Sequence, residues 1–224
     1  PPVPKKTSAD NEQTPTQAVA KEPGYALKID VQNVSLARML RRDVNKPVEG
    51  NLFMTARLEG EGFSEEAVQN KLKGEGSISV TNGEFQTFDV LGSLGALAEL
   101  AGLGEYVSGT TRFHDVNGKF RIANGKAQTD HILIYSNDFN VDASGEIDFF
   151  GNLNFRLNTV LSEELSHKIN SKLGEGERLG PIPLLLTGKI QAPSLRPDPS
   201  LIQDFLGDLI GGKLSKILSN QEWL

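Results

Sequence analysis

Three carboxylates close together in the sequence are the first candidates for general acid–base chemistry. Asp142, Glu146 and Asp148 have the same parity in an alternating run, so a strand would present them on one face. Asn140 and Ser144 share that parity, and this composition is typical of a solvated strand face. We therefore expect the three carboxylates to be surface groups, and we predict no catalytic residue among them.

The histidines offer neither a metal site nor an activated nucleophile. His114 and His131 each stand beside an aspartate, and His167 is a helical neighbour of Ser162 and Ser166 by sequence only. Metal sites need clustered nitrogen, sulfur or carboxylate ligands, and the chain has no cysteine and no His-Glu-x-x-His spacing. We expect no metal, no cofactor and no enzymatic activity.

Phosphate and nucleic-acid binding are also not predicted. The run 74–76 reads Gly-Glu-Gly, but Ser79 stands where a dinucleotide loop needs its third glycine, and a strand pattern follows instead of a helix. With 23 Lys and Arg against 29 Asp and Glu, the net charge is −6. An acidic chain with scattered basic residues argues against nucleic acid as a partner.

Alternation of apolar and polar residues with a period of two dominates the chain. Such alternation predicts antiparallel strands with one apolar face. Asn-Gly pairs at 82–83, 117–118 and 124–125 predict type I′ hairpin turns, and the last two imply a meander of short strands. In the strand predicted at 127–136, either Ile132 with Ile134 or Leu133 with Tyr135 can face the core. The clearest alternating runs are 25–32, 52–59, 140–149, 152–159 and 184–190.

Helical patterns are interspersed among the strands. Ser64 is expected to cap a short helix with Glu65 and Glu66 in its first turn and Gly74 after its end. We expect these amphipathic helices to cap the sheet. The longer helices are predicted at 88–103, 161–173 and 200–218.

Composition divides the chain into three parts. Residues 1–23 hold five of the eleven prolines and few aliphatic side chains, which predicts a disordered linker. Residues 24–198 form the predicted β domain, and residues 199–224 the C-terminal amphipathic helix. No run of 18 apolar residues occurs. The chain begins without Met, and we interpret it as a fragment, which leaves open a membrane anchor upstream of Pro1.

Two architectures use strands that are apolar on one face. A β-sandwich buries two such faces against each other. A single sheet that curls into a groove leaves its apolar face for an apolar ligand. Periodicity and composition leave both open.

The order of glycine and apolar motifs carries a family resemblance. Residues 72–85 run Gly-Glu-Gly, an alternating strand and Asn-Gly-Glu-Phe; residues 113–125 hold two Asn-Gly pairs around a strand; residues 144–149 read Ser-Gly-Glu-Ile-Asp-Phe. In this order they resemble the C-terminal region of the AsmA family. The segments 27–40 and 182–193 are similar to that region's opening and closing motifs, so the resemblance spans residues 25–198.

The resemblance implies a mainly β fold with flanking helices, in which a curled antiparallel sheet forms a hydrophobic groove. It further implies a periplasmic protein of Gram-negative bacteria, anchored to the inner membrane and related to TamB-type and bridge-like lipid-transfer proteins. The implied function is lipid transport: phospholipid binding in support of outer-membrane biogenesis, with outer-membrane or periplasmic assembly proteins as possible partners. The alternative function is a non-transporting β-sandwich scaffold that assists outer-membrane protein assembly.

The resemblance implies that the apolar faces of these strands form a lipid groove. Acyl chains would lie on the apolar faces of the strands, and apolar burial would drive binding. Ordinary core packing is the competing interpretation for each of these side chains. The predicted lining residues are Leu27, Ile29, Val31, Met54, Leu58, Ile78, Val80, Phe120, Ile122, Val141, Ile147, Leu153, Phe155 and Leu157.

Overall fold

The alternating runs form nine strands in a single sheet. The computed structural model describes residues 22–39, 48–85, 111–167 and 180–200. Its strands are β1 (Gly24–Ser35), β2 (Val48–Glu61), β3 (Lys73–Phe85), β4 (Thr111–Ala123), β5 (Lys126–Tyr135), β6 (Phe139–Asp148), β7 (Asn152–Leu161), β8 (Ile182–Lys189) and β9 (Ala192–Pro197). Two helices, α1 (Leu36–Met39) and α2 (Glu65–Lys71), flank β2, and residues 163–167 are also helical.

The sheet follows the order of the chain. Each strand pairs antiparallel with its sequence neighbours, from β1 at one edge to β9 at the other, and the sheet is not closed. This confirms the prediction of a mainly β, antiparallel fold. All described strands belong to this one sheet, so the two stacked sheets of a β-sandwich are not found among them.

The buried core lies toward one end of the strands. Leu52, Val80 and Val141 are 2–6% exposed, and Leu184 is fully buried. These residues belong to one buried cluster, which also takes in Phe113 from the start of β4. Burial is therefore concentrated at one end of the apolar face.

A register shift settles the ambiguous strand β5. Thr129 pairs with Gly145 and Ile132 with Ala143, and the shift between them lets an odd and an even residue share one face. Ile134 is 8% exposed, whereas Leu133 and Tyr135 are 36% and 42% exposed. The pair of isoleucines therefore faces the apolar side.

Only one of the three predicted Asn-Gly hairpin turns is correct. Asn124 and Gly125 have φ angles of 53° and 71° and connect β4 to β5. The pair at 82–83 instead lies inside β3, where Asn82 has φ 51° beside the register shift between Glu49 and Asn51. Asn82 thus provides the positive φ that a β-bulge requires, and the pair at 82–83 serves a bulge instead of a hairpin turn.

The pair at 117–118 lies inside β4, so the short strands predicted on either side of it are one strand. Gly118 stands opposite Ile132, and a Cβ there would lie 2.8 Å from the Ile132 Cγ1 atom. Its glycine serves close packing between strands instead of a turn.

The predicted cap of α2 is confirmed. Ser64 Oγ accepts a hydrogen bond from the Ala67 amide at 3.1 Å. Lys71 ends the helix, near where the end was predicted, but the predicted glycine cap is wrong because the capping residue is Leu72 and Gly74 belongs to β3. The helix predicted from residue 161 also starts later, since Leu161 ends β7 and the helical residues are 163–167.

Other predicted segments fall outside the described residues. These are the helix at 88–103, the remainder of the helix ending at 173, nearly all of the linker 1–23, and the C-terminal helix apart from residues 199 and 200. Ile190, predicted as a strand residue, lies in the turn between β8 and β9.

Candidate functional site

The strand registers gather the apolar side chains into rows that run across the sheet. In an antiparallel pair, directly opposite residues project from the same face. One row, at the end of the strands away from the buried core, crosses all nine strands. It spans about 38 Å at roughly 4.8 Å per strand. Its members are Leu27, Leu58, Gly74, Ile122, Ala127, Ile147, Leu153, Gly188 and Pro193.

All fourteen predicted lining residues lie on this one apolar face, but their burial differs. Val80, Val141 and Leu157 are core residues no more than 6% exposed. Val31, Met54, Ile78 and Phe155 are half-buried and pack against that core. Core packing is the role that the structure gives these seven.

The other seven lie outside the buried cluster and the side chains packed against it. Leu27 is 52% exposed, and the remaining six are half-buried. They span β1 to β7 at the end of the strands opposite the core. We call this set the open band: Leu27, Ile29, Leu58, Phe120, Ile122, Ile147 and Leu153.

Glycines beneath aromatic rings shape this surface. Phe120 stands directly opposite Gly76, and a Cβ on that glycine would lie 2.5 Å from the ring. Tyr25 covers Gly60 in the same way and stacks on Phe63 with ring centroids 5.0 Å apart. The rings fill the space that side chains at the glycines would otherwise occupy.

The carboxylates considered for catalysis lie on the polar side of the strands, each with its own partners. Asp142 is 3.1 Å from His131 Nδ1. Hydrogen bonds from Lys126 and Gln128 lower the pKa of Glu146.

Asp148 accepts hydrogen bonds from the side chain and the backbone amide of Asn152, and these hydrogen bonds lower its pKa. The lowered values keep Glu146 and Asp148 ionised at neutral pH, and neither is tuned as a proton donor at that pH. The three carboxylates are thus separate surface groups, as the alternating pattern predicted.

A hollow of about 690 Å³ crosses β1 to β5. Ten of its fifteen lining residues have polar-face parity, among them Lys28, Arg57, Glu75 and Lys119. Arg121 and Asp130 at its margin form an ion pair of 2.9 Å. The hollow is therefore mostly charged, and Ile29 and Phe120 of the open band also line it.

At the β9 edge, Asp198 is 3% exposed and holds the end of the sheet. Its Oδ1 accepts from the Ser200 hydroxyl at 2.6 Å and the Ser200 amide at 2.9 Å, and Arg156 Nε lies 3.3 Å from Oδ2. The bonds from Ser200, reinforced by Arg156, lower the pKa of Asp198. The contact between Asp198 and Arg156 joins the segment after β9 to β7.

Within the described ranges, no three His, Asp, Glu or Cys side chains are grouped so that they could hold a metal ion. The helices described in these ranges are also too short or too polar to cross a membrane.

Sequence reasoning missed several members of the apolar face. Ile132, Leu186 and Leu195 pack against the core, and Gly74 and Gly188 complete the row at the open end. Alternation over residues 184–190 already gave Gly188 the parity of Leu184 and Leu186. Gly74 was expected after a helix end, and only the strand register assigns it to this face. The strand β9 was missed because Pro193 and Pro197 argue against a strand except at a sheet edge, which is where it lies.

Comparison with known proteins gave no match: no protein-family model, curated protein or solved structure matches this chain. The resemblance to the AsmA family stays a prediction that rests on the sequence motifs.

Proposed function

We propose that this chain is a lipid-binding segment of an AsmA-like protein and that its open band holds phospholipid acyl chains. The observation that carries the proposal is the apolar row across all nine strands, whose open-band members remain outside the packed core. Each acyl methylene removed from water onto such a surface contributes about 0.8 kcal/mol. Binding therefore needs no reactive or charged side chain.

The cellular setting of the proposal follows the resemblance. The protein would act in the periplasm, anchored to the inner membrane by a segment outside these residues, and would support phospholipid transport to the outer membrane. Headgroups would remain at the rim of the open band while the acyl chains lie across the strands. A curled, groove-like form of the sheet, capped by amphipathic helices, belongs to the same proposal.

The test is to measure the lipid that the protein carries. The 224-residue chain would be purified from Gram-negative cells, extracted with organic solvent and assayed for phospholipid per chain. Leu153→Asp puts a charge in the open band, whereas Asn154→Asp changes the exposed neighbour on the polar face. Leu153 is preferred to Phe155 because Phe155 packs against the core, where a charge would unfold the domain.

We expect the wild type and Asn154→Asp to retain phospholipid and Leu153→Asp to lose most of it. Circular dichroism would check that both variants keep the β-sheet spectrum. A wild type without bound phospholipid, or equal retention by a folded Leu153→Asp variant, would contradict the proposal. Absence of lipid from the wild type would favour the scaffold alternative.

A further inference from the structure

The two edges of the sheet differ in their capacity to pair with another strand. In β9, the Asp198 amide donates to Pro183 O at 3.0 Å, so even-numbered residues of this strand direct their backbone groups toward β8. Positions 193, 195 and 197 then face away from the sheet, and two of them are prolines without an N–H. The β9 edge is thereby protected against further pairing.

The β1 edge has no such protection. The Gly62 amide donates to Pro23 O at 2.9 Å, and pairing with β2 is regular from Gly24 to Val31. By the antiparallel alternation, Ala26, Lys28 and Asp30 direct their N–H and C=O groups outward. Among the described strands only β2 pairs with β1, so this edge offers several hydrogen-bonding positions in a row.

The charges on this edge are self-complementary. Lys28 and Asp30 flank Ile29 and project from the polar face, and both are exposed. The Lys28 side chain has no ion pair or hydrogen bond with another described residue. A second β1 that runs antiparallel about Ile29 would bring Lys28 opposite Asp30 twice, once on each side of the centre.

We propose that this edge joins two copies of the chain, with β1 pairing to β1 about a two-fold axis at Ile29. Residues whose backbone N–H and C=O groups point outward must pair with each other. The register can therefore shift only in steps of two residues. The adjacent registers of this kind place Lys28 opposite Lys28 or Asp30 opposite Asp30. Like charges in opposite positions are destabilising, so charge selects the register centred on Ile29.

This pairing also covers apolar surface. Leu27, which is 52% exposed, would lie opposite Val31 of the second copy on the apolar face. A two-fold axis perpendicular to the sheet keeps both apolar faces on the same side. The dimer would be closed, because each of its two outer edges is a proline-protected β9. This assembly does not depend on lipid binding and is tested without lipid.

A single introduced cysteine tests the register, because the chain has no cysteine of its own. In the proposed pairing the two copies of Ile29→Cys lie opposite each other, with Cα atoms about 4.5–5.5 Å apart, within disulfide range. The two copies of the control Val31→Cys lie four residues apart along the strands, about 13 Å. We expect mild oxidation to cross-link most of the Ile29→Cys chains and few of the Val31→Cys chains.

Charge reversal gives an independent readout by sedimentation. Lys28→Asp and Asp30→Lys each create like-charge pairs and should lower the dimer fraction severalfold, whereas the double variant restores both opposite-charge pairs and the dimer. Both side chains are exposed, so the variants should fold. A wild type that stays monomeric at millimolar concentration, equal cross-linking of both cysteine variants, or no recovery in the double variant would overturn the proposal.

Discussion

The aromatic ring of Phe120 lies over Gly76 of the neighbouring strand, directly opposite it in the sheet. Phe113 covers Gly83 in the same manner near the other end of these two strands. Glycine in a strand has no side chain to pack, and a cross-strand aromatic ring compensates for that loss. Phe120 thus contributes to the open band while covering a position of β3 that has no side chain.

Gly76→Ala tests this relationship. The new Cβ would meet both the Phe120 ring and the backbone oxygen of Thr55, and this backbone oxygen cannot move without disturbing the sheet. We expect a loss of about 1–3 kcal/mol in the free energy of unfolding, measured by urea denaturation. Gly180→Ala is the control, because a Cβ there meets no described residue within 4 Å apart from its chain neighbours. Equal stability of both variants would refute the packing account.

Thr159→Val should stabilise the protein. Thr159 is fully buried on the apolar face, and its Oγ1 has no hydrogen-bond partner among the described residues. Replacing a buried, unsatisfied hydroxyl with a methyl of similar size removes its desolvation penalty, so we expect a gain of about 1 kcal/mol in thermal or urea unfolding. Thr55→Val is the comparison, because the Thr55 hydroxyl is exposed and lies 2.9 Å from Ser77 Oγ. This variant should give no gain in stability.

Asp198→Asn should weaken the sheet in a pH-dependent manner. Hydrogen bonds from Ser200 and the nearby Arg156 lower the pKa of Asp198 in the folded state below its ordinary value of 3.8. Its stabilising contribution is therefore full above about pH 4 and is lost as the pH falls from 3.8 through the lower folded pKa. The variant should be less stable than the wild type at pH 7, with a difference that shrinks on acidification.

Urea denaturation at pH 7 and pH 3 measures this effect. Asp115→Asn on β4 serves as the comparison, because no ion pair involves Asp115 among the described side chains. A difference between Asp198→Asn and wild type that grows on acidification would contradict the assignment of the bonds around Asp198.

Alternation predicted the faces of most strands because its cause is local. Residues two apart in a strand project from one face, so Leu153, Phe155 and Leu157 could be assigned together before the fold was known. Their different burial could not be predicted, since it depends on position along the strand relative to a core built from distant segments. Leu157 is 3% exposed, whereas Leu153 lies outside the core.

The Asn-Gly pairs show where local signals are ambiguous. A positive φ at asparagine serves a hairpin at Asn124 and a bulge at Asn82 equally well. Gly118 has neither the hairpin nor the bulge role. A glycine fits there because Ile132 occupies the space beside it. Only pairing between strands, which a single sequence does not encode locally, separates these three uses.

Site-specific photo-cross-linking tests the central claim most directly. A benzophenone amino acid would be placed at Ile122, in the open band, and at the neighbouring Arg121 on the polar face, in cells labelled with radioactive phosphate. If acyl chains lie on the open band, illumination should yield a phospholipid adduct at position 122 and little at 121. No adduct at 122, or equal labelling at both positions, would contradict lipid binding by the apolar face.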